Sequence, residues 1–166
     1  MLLNCLIPQL SLIISRLSSC KNWHREVVLT TLILPVFFTT SATAQVSTTI
    51  KTSEFQAKQY VEAMNKAQQA YYSQNTGFTS SIANLALGLK ADSAKYKYSI
   101  STGNKAVFNY GVSRDANLKS FVGAVFLIGT NTKTILCQTN TATTTKTANP
   151  TNKNGALACG ANTAKI

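Results

Sequence analysis

An α+β fold, one long helix followed by an antiparallel sheet, is what the sequence predicts, and three observations carry it. Apolar side chains recur at three- and four-residue steps from Ala57 to Tyr71. Alternation of period two takes over at Tyr96 and continues, across a turn, to Val112. A run that is apolar on both faces, Phe121 to Ile128, then reads as a central strand. One helix laid over a three- to four-stranded meander is a two-layer arrangement.

The helix comes first. Ser53-Glu54-Phe55-Gln56 fits a capping box, in which the Ser and Gln side chains each satisfy an orphan backbone donor. Ala57, Tyr60, Val61, Met64, Ala67 and Tyr71 share one face, while Lys58, Gln59, Glu62, Lys66 and Gln69 occupy the other. Lys58–Glu62 and Glu62–Lys66 are spaced for i,i+4 ion pairs. Asn75-Thr76-Gly77 supplies the stop. A helix of about 22 residues would be roughly 33 Å long at ~1.5 Å per residue. Phe78 to Leu89 is a connector with a short helical turn, anchored by Ile82, Leu85, Leu87 and Leu89.

In the sheet half, Tyr96, Tyr98 and Ile100 point one way and Lys97 and Ser99 the other. Ser101 to Asn104 make the turn, after which Ala106, Phe108, Tyr110 and Val112 line one face. Gly129 to Thr132 form the next turn and Thr134 to Cys137 the next strand. From Gln138 to Asn154 the chain is rich in Thr, Asn, Ala and Lys, and cannot build a core of its own.

The first 44 residues have the layout of targeting, not of fold. Val27 to Phe38 is a 12-residue apolar run, preceded by Lys21 and Arg25 and followed by the small-x-small ending Ala42-Thr43-Ala44. These are the three parts of a secretory signal peptide, with cleavage between Ala44 and Gln45. The run is too short for a bilayer core, which needs ~20 apolar residues. A second apolar stretch, Leu2 to Leu17, leaves an N-terminal anchor as the alternative; Leu17-Ser18-Ser19-Cys20 has the look of a lipoprotein box, but no positive charge precedes its apolar run and Arg16 interrupts it. The division is therefore 1–44, signal peptide or anchor, and 45–166, globular head. Export places the head in the periplasm or at the cell surface; a retained leader would hold it on the inner membrane.

Processing changes the arithmetic. The full chain carries a net charge of +11; residues 45–166 keep 12 Lys and 1 Arg against 2 Asp and 2 Glu, a net +9. His24, Trp23, Cys5 and Cys20 leave with the leader, so Cys137 and Cys159 are the remaining thiols. In an oxidising compartment an even pair reads as a disulfide, with two free thiols as the alternative. It would close a loop of 23 residues counting both ends.

These counts exclude most catalysis. A histidine-free head has no Ser-His-Asp or Cys-His arrangement, and two Cys cannot fill a zinc site. Glu54 and Glu62 lie on one helix face but ~12 Å apart along its axis, too far for a glycosidase pair. No phosphate-binding glycine loop is present. The expectation is no enzyme, no cofactor and no metal.

Gln56 to Tyr72 (QAKQYVEAMNKAQQAYY), Gly77-Phe78, Leu85 to Leu89 and Tyr96 to Ile100 together resemble the cyanobacterial type IV pilin-like G/H family. The resemblance covers most of Lys51 to Cys137 and implies a pilin-like head, a helix on an antiparallel sheet closed by a C-terminal disulfide loop, with a structural or accessory role at a pilus or cell surface. It implies pilus or envelope proteins as partners. The sequence departs from the family pattern ahead of that segment. Pilins of this kind open with a Gly cut by a prepilin peptidase, then Phe, Thr and a Glu heading an apolar helix. Here the first glycine is Gly77, and Gln45 to Thr52 is polar. The expectation is a head whose assembly helix has given way to a secretory signal.

The basic balance invites a second reading, a polyanion-binding module for DNA or an acidic polysaccharide, linked to uptake or adhesion. Its candidate contacts are Lys90, Lys95, Lys97, Lys105, Lys119 and Lys133. The lysines are scattered and form no basic run, so solubility is the simpler account. Tyr71, Tyr72, Tyr96, Tyr98, Phe108 and Tyr110 could stack bases, but their spacing is that of core residues.

Overall fold

The computed structural model describes residues 42–88 and 92–166. Helix α1 (Ala42–Asn75) is followed by a 3-10 turn (Ala83–Leu85), then strands β1 (Tyr96–Thr102), β2 (Ala106–Ser113), β3 (Phe121–Ile128) and β4 (Asn131–Thr139). The C-terminal stretch adds β5 (Thr151–Lys153), β6 (Ala156–Ala158) and β7 (Thr163–Lys165). The sheet is antiparallel with order β1-β2-β3-β4-β7, and β5–β6 is a separate hairpin. The expected meander is thus β1 to β4. The short β7 returns from the C-terminus to pair with β4, Cys137 opposite Lys165.

Helix α1 begins earlier than the capping box implied. It has 34 residues, and Ser53 lies well inside it. The preceding segment holds no Gly or Pro to end a helix, and Thr52 Oγ1 donates back to the Thr48 carbonyl at 3.0 Å, the intrahelical alternative to capping. Glu54 is also engaged: its Oε1 accepts from the Lys119 backbone N–H at 2.8 Å, tying the helix to the start of β3. Of the two expected i,i+4 pairs, Glu62–Lys66 closes at 2.9 Å, whereas Lys58 makes no ion pair with Glu62.

The helix ends where the sequence indicated, but on a threonine. Thr76 takes φ 54° and its N–H bonds the Tyr72 carbonyl at 2.8 Å, so the left-handed cap falls one residue before Gly77. A β-branched residue in that region costs about 1–2 kcal/mol. Thr76→Gly is expected to raise stability by about 1 kcal/mol, read as a higher midpoint in urea; a lower midpoint would contradict the cap assignment.

The helix face and the sheet fit through small residues. Ala57, Val61 and Met64 pack on Tyr96, Tyr98, Leu118 and Phe121. A Cβ on Gly111 would sit 2.9 Å from Val61, and one on Gly123 would sit 2.4 Å from the Asn65 amide. The absent side chains at 111 and 123 let α1 lie close against β2 and β3. Asn65, 3% exposed, fills the space over Gly123: it donates to the Ile135 carbonyl at 3.1 Å and accepts from Asn109 Nδ2 at 2.8 Å. One turn on, Gln68 clamps the connector, donating to the Thr79 carbonyl at 2.7 Å and accepting from its N–H at 3.1 Å. Both amides are buried and doubly bonded, which burial demands of polar groups. Leu85, Ile82 and Leu87 anchor the connector as expected; Leu89 lies outside the described residues.

Two layers become three. Because side chains alternate across a strand, the residues of β2 and β3 that do not face α1 form a second apolar surface. Ala106, Tyr110, Val122, Ala124 and Phe126 pack there with Ile135 and Cys137, joined by Phe108, Val112 and Ile128. The stretch from Asn140 onward covers this surface with Leu157 and Cys159. Cys137 and Cys159 form the disulfide that fixes this cover to β4. β3, central in the sheet, is buried along six of its eight residues, as its two apolar faces predicted.

Candidate functional site

Among the described residues, no group of three or more His, Cys, Asp or Glu side chains is placed to hold a metal ion. Three of the four acids of the head are held by basic side chains, Glu62 by Lys66 among them. Asp92 pairs with Arg114, and Asp115 with Lys95 at 3.4 Å. Asp115 also accepts from the Asn117 backbone N–H, and that bond, with Lys95 beside it, holds its carboxyl below the usual range. The other two, Glu54 and Glu62, bind Lys119 N–H and Lys66 respectively, so each carboxylate has a structural use.

Of the aromatic residues expected in the core, three tyrosines are buried there, whereas Tyr71 and Tyr72 are only half-buried. Tyr96, Tyr98 and Tyr110 are at most 6% exposed. Tyr60 of α1 stacks on Tyr98 of β1, ring centroids 3.7 Å apart and planes 8° from parallel. The Tyr96 hydroxyl donates to the Lys119 carbonyl at 2.9 Å. Burial raises the pKa of both Tyr96 and Tyr98, with Glu54 adding to the first and Tyr60 to the second, and Tyr98 is pushed up to about 12. A pKa raised on folding stabilises the protein below the unfolded value of 10.0 and is lost as pH rises through the folded one. Stability is therefore expected to fall between pH 10 and about 12, the last tyrosine absorbance at 295 nm rising together with unfolding. Complete tyrosine ionisation near pH 10 in a folded protein would contradict this packing.

The structure divides the candidate polyanion lysines instead of gathering them. Lys95 and Lys119 sit at the end of the sheet where β1 begins, and the first is engaged by Asp115. Lys105, in the β1–β2 turn, and Lys133, near the start of β4, lie at the other end, where Leu127 N–H bonds the Lys105 carbonyl. The seven residues of β1 separate the two pairs by about 23 Å at ~3.3 Å per residue. Lys97, the second residue of β1, is exposed two positions from Lys95, and Lys90 lies outside the described residues.

The feature that sequence reasoning missed is the N-terminal part of α1. The buried stripe Met64–Val61–Ala57 continues backwards at helical spacing through Ser53 and Ile50 to Val46. Ile50 still packs on the core, but Val46 is 60% exposed and Ser47 to Thr49 are exposed with it. Phe55, on another side of the same helix, is 62% exposed. The helix therefore outruns the sheet that covers it. Helical spacing carried back from Ala57 was the signal that could have shown this. The proposed cleavage point, Ala44–Gln45, falls within the first turn of α1, and the leader ahead of it lies outside the described residues. No helix among the described residues is long and apolar enough to cross a membrane.

No curated protein and no solved structure matches the chain. The sequence profile of the type IV pilin-like G and H proteins does, over residues 54–160, close to two thirds of the chain. The match runs from the helix that lies on Gly111 and Gly123, through all four main strands, to the second cysteine of the disulfide loop. A long helix on an antiparallel sheet, closed by Cys137–Cys159, is the α+β architecture that the resemblance implied, and the chain belongs to the type IV pilin-like G and H family.

Proposed function

We propose that the protein is an exported, non-catalytic structural component of a pilus or of the surface assembly around one. Its leader is removed between Ala44 and Gln45, and the head docks on pilus or envelope proteins through the first turns of α1. The observation that carries this reading is the helical stripe ending on exposed Val46. An apolar stripe that continues past its own sheet is an amphipathic surface ready for a second partner. Family membership makes a pilus-assembly or envelope protein the natural occupant. Ser47, Thr48, Thr49, Lys51 and Thr52 make the surrounding surface polar, which suits a protein partner better than lipid.

The test is a photo-crosslinking residue placed at Val46 in producing cells, with Lys153 in the β5–β6 hairpin as the control position. Cells are then separated into sheared filaments, envelope, medium and cytoplasm. The expected result is a Val46-specific adduct with a filament or envelope protein, and head in those same fractions. Equal adducts at both positions, or a protein confined to the cytoplasm, would sink the proposal.

A further inference from the structure

The sheet is bounded on one side by a strand that is only half covered. β7 pairs with β4 from Cys137 to Thr139, and Ile166 N–H adds one bond to the Leu136 carbonyl at 3.1 Å. Pairing with β3, by contrast, runs along β4 from Asn131 to Gln138. Backbone groups alternate in direction along an antiparallel strand, so those of Thr134 and Thr132 face the same way as those of Leu136, away from β3. Among the described residues no backbone group bonds them there. Asn131–Ile135 is therefore an open edge, with the N–H and C=O groups of two residues presented at strand spacing.

A groove of about 320 Å3 runs between this edge and α1. It arises because α1 lies over Gly111 and Gly123, on β2 and β3, so that β4 projects beyond the helix. Asn65 and Gln69 bridge the gap, donating to the Ile135 carbonyl and the Thr132 hydroxyl at 3.1 and 2.9 Å. Those bonds set the distance between the two walls. Lys58, Glu62 and Lys66 line the helix wall, and Thr134 and Leu136 the strand wall.

Charge selects the occupant. Glu62, the one acid lining the groove, is paired with Lys66 at 2.9 Å, whereas Lys58 makes no ion pair among the described residues. Side chains alternate along β4, which sets exposed Lys133 on the side of Ile135, away from α1. An added strand would thus meet an ammonium group on each of its faces. A second copy of this head has nothing to offer them. Its four acids are each engaged within their own head, and no five consecutive residues from 45 to 166 hold two acids. Lysine on an open edge keeps like-charged copies away and leaves the edge to an acidic chain. A polyanion without peptide groups would neutralise the lysines, but a row of N–H and C=O groups at strand spacing is matched by another peptide backbone.

We propose that the open edge of β4 takes up an extended acidic segment of another protein as an added strand, its backbone bonded to Thr132 and Thr134 and its carboxylates held by Lys58 on the helix side and Lys133 on the other. This surface is separate from the first turns of α1, since no residue before Lys58 lines the groove. Loss of the Val46 adduct would leave peptide binding intact, and loss of peptide binding would leave the adduct.

The probe is the heptapeptide Thr-Glu-Glu-Thr-Glu-Glu-Thr, blocked at both ends and labelled with a fluorophore. It is titrated into the purified disulfide-intact protein at ~50 mM salt. Of two comparison peptides, one carries Gln in place of every Glu. The other keeps every Glu but is N-methylated at its three central residues, which prevents strand pairing without removing charge. The expected result is saturable binding of the acidic peptide, at least tenfold tighter than either comparison. At saturation the Thr132 and Thr134 amides, read by NMR, should exchange with solvent at least tenfold more slowly. Lys58→Gln combined with Lys133→Gln should weaken binding about tenfold, with Lys153→Gln unchanged. No binding of the acidic peptide, equal affinity for either comparison peptide, or unchanged exchange at Thr132 and Thr134 would each overturn the proposal.

Discussion

Gly123→Ala is expected to cost about 3–5 kcal/mol, enough to leave most of a small domain's stability spent. The new Cβ would meet the Asn65 amide at 2.4–2.7 Å, with no free space beside it. Asn65 would have to leave its bonds to Ile135 and Asn109, stranding buried polar groups under the helix. Gly111→Ala is the contrast. Its Cβ meets a methyl of Val61 and the ring edge of Tyr98, side chains able to shift, and about 1–2 kcal/mol is expected. Coupling gives a sharper test. With Asn65→Ala in the background the clash is gone, so Gly123→Ala should cost at least ~1 kcal/mol less there than in the parent. Equal costs in both backgrounds, measured by urea unfolding, would refute the close approach of α1 to β3.

Removing the disulfide by Cys137→Ala with Cys159→Ala should lower stability by about 3 kcal/mol on the loop-entropy account. The consequence reaches further than the loop. The tethered segment is the only cover the described residues provide for Tyr110, Val122, Ala124 and Phe126. Loosening it would expose that face, so the double variant should bind a hydrophobic dye while its helix signal is retained. Reduction of the parent protein should do the same. A double variant with the parent's midpoint and no dye binding would mean that the cover holds without its covalent anchor.

Much of this fold was legible because periodicity reports burial. The steps from Ala57 to Tyr71 gave the helix and its buried face, and the alternation from Tyr96 to Val112 gave two paired strands in the observed order. The helix start was not legible at Ser53. A capping box is a short local pattern, and Ser53-Glu54-Phe55-Gln56 meets it while lying inside a helix that no Gly or Pro interrupts. Glu54 serves β3 instead, a contact between residues 65 positions apart that no local pattern encodes.

The third layer had a signal that composition hid. Phe121 to Ile128 is apolar on both faces, and one helix can cover only one of them. The second cover is the Thr- and Asn-rich stretch, which lacks a core of its own and needs none, because it borrows the sheet's. Leu157 and Cys159 supply its apolar contacts. For the same reason the place of Lys146 was not legible: its ammonium lies over the ring of Tyr110, more than 30 positions earlier in the chain. Of the lysines singled out by sequence, Lys95, Lys97 and Lys119 lie toward one end of the sheet and Lys105 and Lys133 toward the other.

The protein we propose is an exported pilin-like head that begins at Gln45 and is closed by one disulfide. The most direct test is the intact mass of the native protein, recovered from medium, envelope and periplasm, before and after reduction. The expected species starts at Gln45 and gains two hydrogens on reduction. A full-length chain found only in membranes, or a mass unchanged by reduction, would contradict it.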